Sequence, residues 1–342
     1  MGKAFLVAVF SLLVIVAAAV WSSDVWFRTG HWPWNAQPSS TADAPAIPVE
    51  VSPGSSLAGI AQQLAAEGLL EFPRLWRVMV EVHGQAGALQ AGDYVLPANA
   101  TPAELMALLV EGAVRSYRLA IIEGTTVRSV LDALRAAPGV TQTLSGDDPE
   151  AELLKALELE GSSLEGWLFP DTYVYRSGET DRALIQQAVQ RMRSALEAAW
   201  RSRRRELPYR TRYELLTMAS IVEKESALAS DRAQIAQVFV TRLAQGMRLQ
   251  TDPTVIYGLG SAFDGDLRRS DLTADTPYNT YTRHGLPPTP IALPGLAALT
   301  AASQPAEGDY LYFVARGDGS SQFSRTLAEH NAAVRRYQLN SK

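Results

Sequence analysis

Tyr213 to Gly258 reads YELLTMASIVEKESALASDRAQIAQVFVTRLAQGMRLQTDPTVIYG. Its apolar residues recur at helical spacing, which predicts two successive helices and then a short polar turn. At about 100° per residue, Leu215, Met218, Ile221, Val222 and Ala229 share one face of the first helix. Glu225 falls near the centre of that stripe, and Glu223 is rotated roughly 160° away, beside Lys224 and Ala227. A carboxylate on an apolar stripe must be paired, protonated or turned into a cleft. Burial raises its pKa, the condition a general acid needs near neutral pH. The competing reading is structural, a carboxylate bonded to an arginine or a helix terminus. Glu223 reads as solvated, or as supporting the site from behind.

Downstream, the second helix spans Asp231 to Gly246, with Gly246 as the residue that ends it. RLQTDPTVIYG, Arg248 to Gly258, reads as a loop that gathers Gln250, Thr251, Asp252 and Tyr257 within a few residues. A second polar, Pro-rich loop runs from Pro277 to Gly295 and carries Asn279, Tyr281 and Thr282. Such irregular loops are costly to order unless they pack tightly or bind something. Tyr310 to Ser324 reads as a hairpin around Gly-Asp-Gly, and Thr326 to Gln338 as a closing helix with His330 on its surface.

Upstream, EGWLFPDTYVY (Glu165 to Tyr175) sets aromatics around a Pro-Asp turn, either a buried aromatic corner or a platform for sugar rings. Thr180 to Glu206 is a long amphipathic helix, and Asp147 to Gly161 an acidic surface helix. Three segments repeat a strand, a turn and a capped helix, beginning at Val49, Asp93 and Tyr117. Residues 47–115 have the order strand, helix, helix, strand, which resembles a LysM-like βααβ module, a small fold that binds glycan chains. Thr29 to Ala46 has no hydrophobic period and reads as a tether. Ala4 to Trp21 is apolar and about 27 Å long as a helix, close to the thickness of a bilayer core. Lys3 before it and Asp24 after it favour an inside N-terminus, with Trp21, Trp26 and Phe27 at the outer headgroup level. The competing reading is a cleaved signal peptide, with Ala17 to Ala19 as the small residues at the cut.

The expected fold class is α+β. Residues 1–3 are expected on the inner side of the membrane, 4–21 as a transmembrane anchor, 22–46 as an exported linker, 47–115 as the LysM-like module and 116–342 as a larger mixed α+β domain. A hydrophobic fraction of 47% with 20% charged residues describes a globular chain. A net charge of -5 speaks against a nucleic-acid partner. The absence of cysteine excludes disulfides, thiol catalysis and thiolate metal sites. Four scattered histidines offer no metal-ligand spacing, so no cofactor is expected.

IVEKES, RLQTDPTVIYG and YNTYTRHGLPPTPIALPG, in this order and spacing, resemble the endolytic murein transglycosylase (YceG-like) family. EGWLFPDTY and FSRTLAEHN resemble further segments of it, so the likeness runs from about Ser116 to the C-terminus. It implies a single-pass inner-membrane protein with a periplasmic catalytic domain. Its substrate would be peptidoglycan, cut within strands at the β-1,4 bond between N-acetylmuramic acid and N-acetylglucosamine to leave 1,6-anhydromuramic ends. The family's catalytic glutamate, the second of its E-K-E, matches Glu225. Gln250, Thr251, Asp252, Tyr257, Asn279 and Tyr281 are then candidates for substrate binding, with Glu223 beside them. The family also suggests penicillin-binding synthases as partners. An ordinary muramidase, which needs a second carboxylate, and a non-catalytic glycan-binding scaffold are the alternatives.

Overall fold

A computed structural model describes residues 2–31, 46–144, 148–225 and 228–339. Helix α1 (Gly2–Thr29) is the one element among them long and apolar enough to cross a membrane. It continues past Trp21, the predicted end of the anchor, and its last turn carries an Asp24–Arg28 pair at 3.0 Å. Trp21 is exposed, but Trp26 and Phe27 are each 1% exposed, so they do not sit at a headgroup level as expected. They pack instead against Phe72 and His83, with ring centroids 5.7 and 5.0 Å apart. Large aromatic surfaces gain most where they are fully covered, and here a folded core lies within reach of the helix end. Most of the predicted linker, residues 32–45, lies outside the described residues.

The chain divides into two units, Met1–Tyr117 with Tyr175–Gly178, and Arg118–Val174 with Glu179–Lys342. After α1, the first unit contains β1 (Ala46–Val51), α2 (Leu57–Ala66), α3 (Pro73–Val82), β2 (Gly92–Pro97) and α4 (Pro102–Glu111). β1 and β2 pair antiparallel from Ala46 opposite Pro97 to Val51 opposite Gly92. The alternation of the strands puts Val49, Val51, Tyr94 and Leu96 in the core with Leu64, Trp76 and Leu105. Trp76 has no exposed surface, and its Nε1 donates to Pro102 O at 2.8 Å. Ser56 caps α2, and Thr101 with Glu104 forms a capping box on α4, so the cap residues start these helices as their types predict.

β3 (Ser116–Ala120) pairs with β4 (Thr172–Arg176), and α5 (Val127–Ala136) and α6 (Pro149–Ala156) lie between them in sequence. The second unit continues with α7 (Asp181–Ser202), α8 (Arg212–Glu225), α9 (Arg232–Ala244), α10 (Asp252–Leu259), α11 (Arg269–Thr273) and α12 (Leu296–Ser303). The antiparallel hairpin β5 (Tyr312–Ala315) and β6 (Ser321–Ser324) and helix α13 (Leu327–Val334) follow. The molecule is thus mixed α+β with one N-terminal apolar helix.

Helix α8 is the centre of this unit. Every residue from Leu215 to Val222 is buried, with α7, α9 and α12 packed around it. A one-sided stripe was expected; a helix covered on all sides is a core helix. The stretch Glu165 to Tyr175 is a buried corner, with Trp167 5%, Leu168 0%, Tyr173 2% and Tyr175 1% exposed, and so offers no open platform for a sugar.

Candidate active site

Glu225 is the last described helical residue of α8, whose expected stripe ran on to Ala229. The negative end of a helix is an unfavourable place for a carboxylate, and burial adds to this. Burial pushes its pKa up and the charge of Asp252 adds to the rise, while a hydrogen bond from Thr251 opposes it. Thr251 Oγ1 donates to Glu225 Oε1. Oε2 makes no hydrogen bond among the described residues and is open to a cavity of about 810 Å³. The carboxyl group is therefore held by one oxygen and free to exchange a proton at the other.

Helix α9 ends as its Gly246 predicts. With Gly246 at φ +67°, Gly246 N donates to Leu243 O at 3.1 Å and Met247 N to Arg242 O at 2.8 Å, the bonds of a Schellman motif. The chain then turns through Gln250 at φ +54° into α10, with Thr251 at its N-cap position. Asp252 to Tyr257, expected in a loop, are helical; the run of β-branched residues and one Pro concealed a helix of only two turns. Gln250 and Asp252 line the cavity with Glu225 and Tyr281. Tyr281 OH donates to Asp252 Oδ1 at 2.6 Å; burial, and then that bond, push the phenol pKa up.

Thr280 locks the two predicted loops together. Its carbonyl accepts from Gln250 N at 3.2 Å and its hydroxyl from Thr251 N at 3.1 Å, with Thr254 Oγ1 2.9 Å away. It is 3% exposed, and its type and position carried no signal of this role.

Four candidate residues do not line the cavity: Thr251, 1% exposed with its hydroxyl spent on Glu225, and Asn279, Tyr257 and Glu223. Asn279 has no exposed surface. Its Nδ2 donates to the carbonyls of Asp271, Leu272 and Ala274 at 3.0, 3.2 and 2.7 Å, and its Oδ1 accepts from Tyr281 N at 2.9 Å. Its amide is fully used in shaping the loop. Tyr257 donates instead to Glu165 Oε2 at 3.2 Å. Glu165 is 3% exposed and also accepts from Val127 N at 3.1 Å; burial pushes its pKa up to about 7.

Glu223 is neither solvated nor in the cavity: its side chain is 6% exposed. Its Oε2 accepts from Gly295 N, the N-cap of α12, at 2.9 Å, and its Oε1 lies 3.5 Å from Arg232 Nη2. It thus ties α8 to α12. Glu223→Gln keeps an acceptor for Gly295 but removes the ion pair. We expect a stability loss of about 1–3 kcal/mol with most activity per folded molecule retained. Thermal unfolding beside turnover measurements checks this; a large loss of turnover without loss of stability would contradict it.

Sequence reading did not assign Arg242, Tyr312 and Phe313 to the site, and it placed His330 on the surface. All four line the cavity. A polar residue on a helix otherwise buried, such as Arg242 among Ile235, Val238 and Phe239 of α9, was the one available signal.

The profile of the YceG-like family matches residues 49–336. An endolytic murein transglycosylase of Bacillus subtilis (strain 168) is 32% identical over 308 residues, covering 85% of this chain and 84% of that protein. One of Streptococcus pneumoniae serotype 2 (strain D39 / NCTC 7466) is 28% identical over 330 residues, 86% of this chain and 59% of that protein. A crystal structure of a YceG-like protein from Listeria monocytogenes superimposes with a TM-score of 0.53 at 32% identity, over 85% of this chain and 99% of that one.

Proposed function

The chain belongs to the YceG-like family, and from that membership we propose how its cavity works on murein. The protein is a peptidoglycan lytic transglycosylase, a lyase that cuts within glycan strands. The observation that carries the mechanism is Glu225, held at Oε1 by Thr251 with Oε2 free over the cavity and its pKa raised.

Protonated Glu225 donates to the glycosidic oxygen as the bond to muramic C1 breaks. The substrate's 2-acetamido oxygen stabilises the positive charge at C1. Glu225, now a carboxylate, takes the proton of the muramic 6-hydroxyl as O6 bonds to C1. One acetal replaces another, no water is consumed, and the internal nucleophile is already in place. Gln250, Asp252 and Tyr281 are the groups we assign to sugar hydroxyls and amides, with Thr251 positioning the acid.

Asp252 supports a second reading, since its charge reaches Glu225 and a hydrolase would need such a second carboxylate. Digestion of purified peptidoglycan followed by mass spectrometry separates the two. Anhydromuramic ends support the lytic reaction, and reducing ends would replace it by hydrolysis.

The pH profile follows from the same assignment. A general acid works only while protonated, so activity falls as pH rises through the Glu225 pKa. Asp252 raises that pKa; Asp252→Asn removes the negative charge, lowers it, and moves the alkaline limb to lower pH. An alkaline limb unmoved or moved upward in kcat/KM against pH would contradict this arrangement, whatever the change in absolute rate.

We assign α1 as a single-pass anchor of the inner membrane with a cytoplasmic N-terminus and a periplasmic catalytic unit, supported by Lys3 before the apolar run and Asp24 after it. The β1-α2-α3-β2 order supports a LysM-like role in holding glycan. An enzyme so placed would act on strands as they leave the membrane-bound synthases, which makes penicillin-binding synthases the expected partners.

A further inference from the structure

The cavity holds a second group of side chains that the glycosidic chemistry does not use. Arg242 of α9, Tyr312 of β5 and His330 of α13 line it together. The Arg242 guanidinium lies 5.1 Å from the centroid of the Tyr312 ring, and the His330 ring stacks on Tyr312 at 5.2 Å and 23°. Arg242 is only 8% exposed. Its bonds all go to uncharged acceptors: Nε to Leu311 O at 2.7 Å, and Nη1 to Leu249 O, Gln250 Oε1 and Arg248 O at 2.9, 3.2 and 3.3 Å.

The remaining donors have no partner among the described residues. The buried side-chain atoms without a hydrogen bond are Tyr213 OH, Arg232 Nε, Gln237 Oε1 and His330 Nδ1. Arg242 Nη2, Tyr312 OH and His330 Nε2 make no bond either, yet they are not sealed in protein and so open to the cavity. None of the three acids that share the cavity, Glu225, Asp231 and Asp252, bonds Arg242, and Glu225 accepts from Thr251. Asp231 accepts from Ser321 N at 2.6 Å and Ser230 Oγ at 3.2 Å, and Asp252 accepts from Tyr281. His330 supplies no counter-charge in either protonation state, since an imidazole is neutral or cationic; burial and then the charge of Arg242 lower its pKa.

A nearly buried cation without a counter-charge is unfavourable unless a ligand supplies one. We propose that Arg242, with Tyr312 and His330, binds a carboxylate of the substrate, carried by the peptide stem of the strand held at Glu225. This rests on the murein reading above. Sugar hydroxyls and acetamides are neutral, so the carboxylates of a murein strand are those of its peptides. An occupant of this cavity must also be joined to the glycan within reach of Glu225. A guanidinium recognises a carboxylate by charge-assisted hydrogen bonds, and Phe313 and Val314 line the same cavity with apolar surface suited to small peptide side chains.

The test reads binding, so it stands whether or not the strand is cut. Full-length Glu225→Gln protein in detergent is titrated with soluble murein fragments whose stem carboxylates are free, or are converted to amides. The expected result is at least about tenfold tighter binding of the free acid. Adding Arg242→Gln should remove most of that ratio, and Arg242→Lys should keep part of it. Equal affinity for acid and amide in the parent overturns the proposal. So does an unchanged ratio in the Arg242→Gln protein with native near-UV circular dichroism. Because Arg242 also bonds backbone carbonyls, its loss could loosen the fold; the comparison in the parent then decides alone.

Discussion

Glu225→Gln is expected to leave a folded protein that no longer produces anhydromuramic ends, with kcat lowered by about 10³-fold or more. A positioned general acid-base contributes roughly 10²–10⁴-fold, and in the proposed reaction Glu225 acts twice, first as acid and then as base. The substitution is isosteric, and the amide oxygen still accepts from Thr251 as Oε1 does now. The amide has no acidic proton to give and cannot take one up at the pH of the assay. Stability should not fall. Because the folded pKa of Glu225 is raised, its contribution is complete below the unfolded value and is lost as pH rises through the folded one. Gln has no such loss, so above that window the variant is as stable as the parent or more so. Product analysis with thermal unfolding of both proteins checks the two halves of this expectation. Wild-type turnover in the variant would remove Glu225 from the mechanism, and a collapse of structure would leave the carboxylate as a structural group.

Gly166→Ala should damage the second unit strongly for a single added methyl group. Gly166 has φ +84°, and a Cβ there would lie 2.6 Å from Pro290 Cβ and Cγ and 3.3 Å from Leu216 Cγ. The left-handed backbone costs an L-residue about 1–2 kcal/mol. Forcing a methyl group against a proline ring adds about 1–3 kcal/mol, since a ring held by the backbone cannot swing aside. The damage reaches the site from both sides. Gly166 follows Glu165, which holds Tyr257, and Pro290 precedes Ile291, whose N–H donates to Ser220 Oγ of α8 at 3.0 Å. Loss of about 2–5 kcal/mol should appear as a lower unfolding temperature together with lower turnover. Gly246→Ala separates the two causes: Gly246 has φ +67° but nothing within 4 Å of its Cβ position, so only the backbone penalty applies. Equal losses at the two positions would mean that the contact with Pro290 relaxes freely.

Local signals were legible in the sequence wherever one segment reports on itself. Helices α8 and α9 followed from their 3.6-residue period, and Ser or Thr caps marked helix starts, which the structure places at Ser56 and Thr101. Gly246 marked a helix end, and Gly-Asp-Gly marked the β5–β6 hairpin. Glu225 stood out for the same reason, as a charge set against an apolar run, and the motifs around it carried the family. The length of the anchor was only partly legible. Apolarity shows that α1 can enter a bilayer, but whether Trp26 and Phe27 meet lipid or protein depends on what folds against them.

Tertiary structure alone decided what each polar side chain faces. Asn279, Tyr257 and Tyr281 looked alike as hydrogen-bonding groups in polar stretches. Only Tyr281 lines the cavity; Asn279 closes its own loop, and Tyr257 meets a carboxylate 92 positions away in sequence. Glu223 is engaged by Gly295, 72 positions away. The group of Arg242, Tyr312 and His330 is assembled from three separate elements. Periodicity records how often a chain is covered along its own axis, which local sterics and hydrophobicity determine. Which distant donor meets which acceptor, and which is left open to a ligand, follows from the packing of segments that share no local pattern.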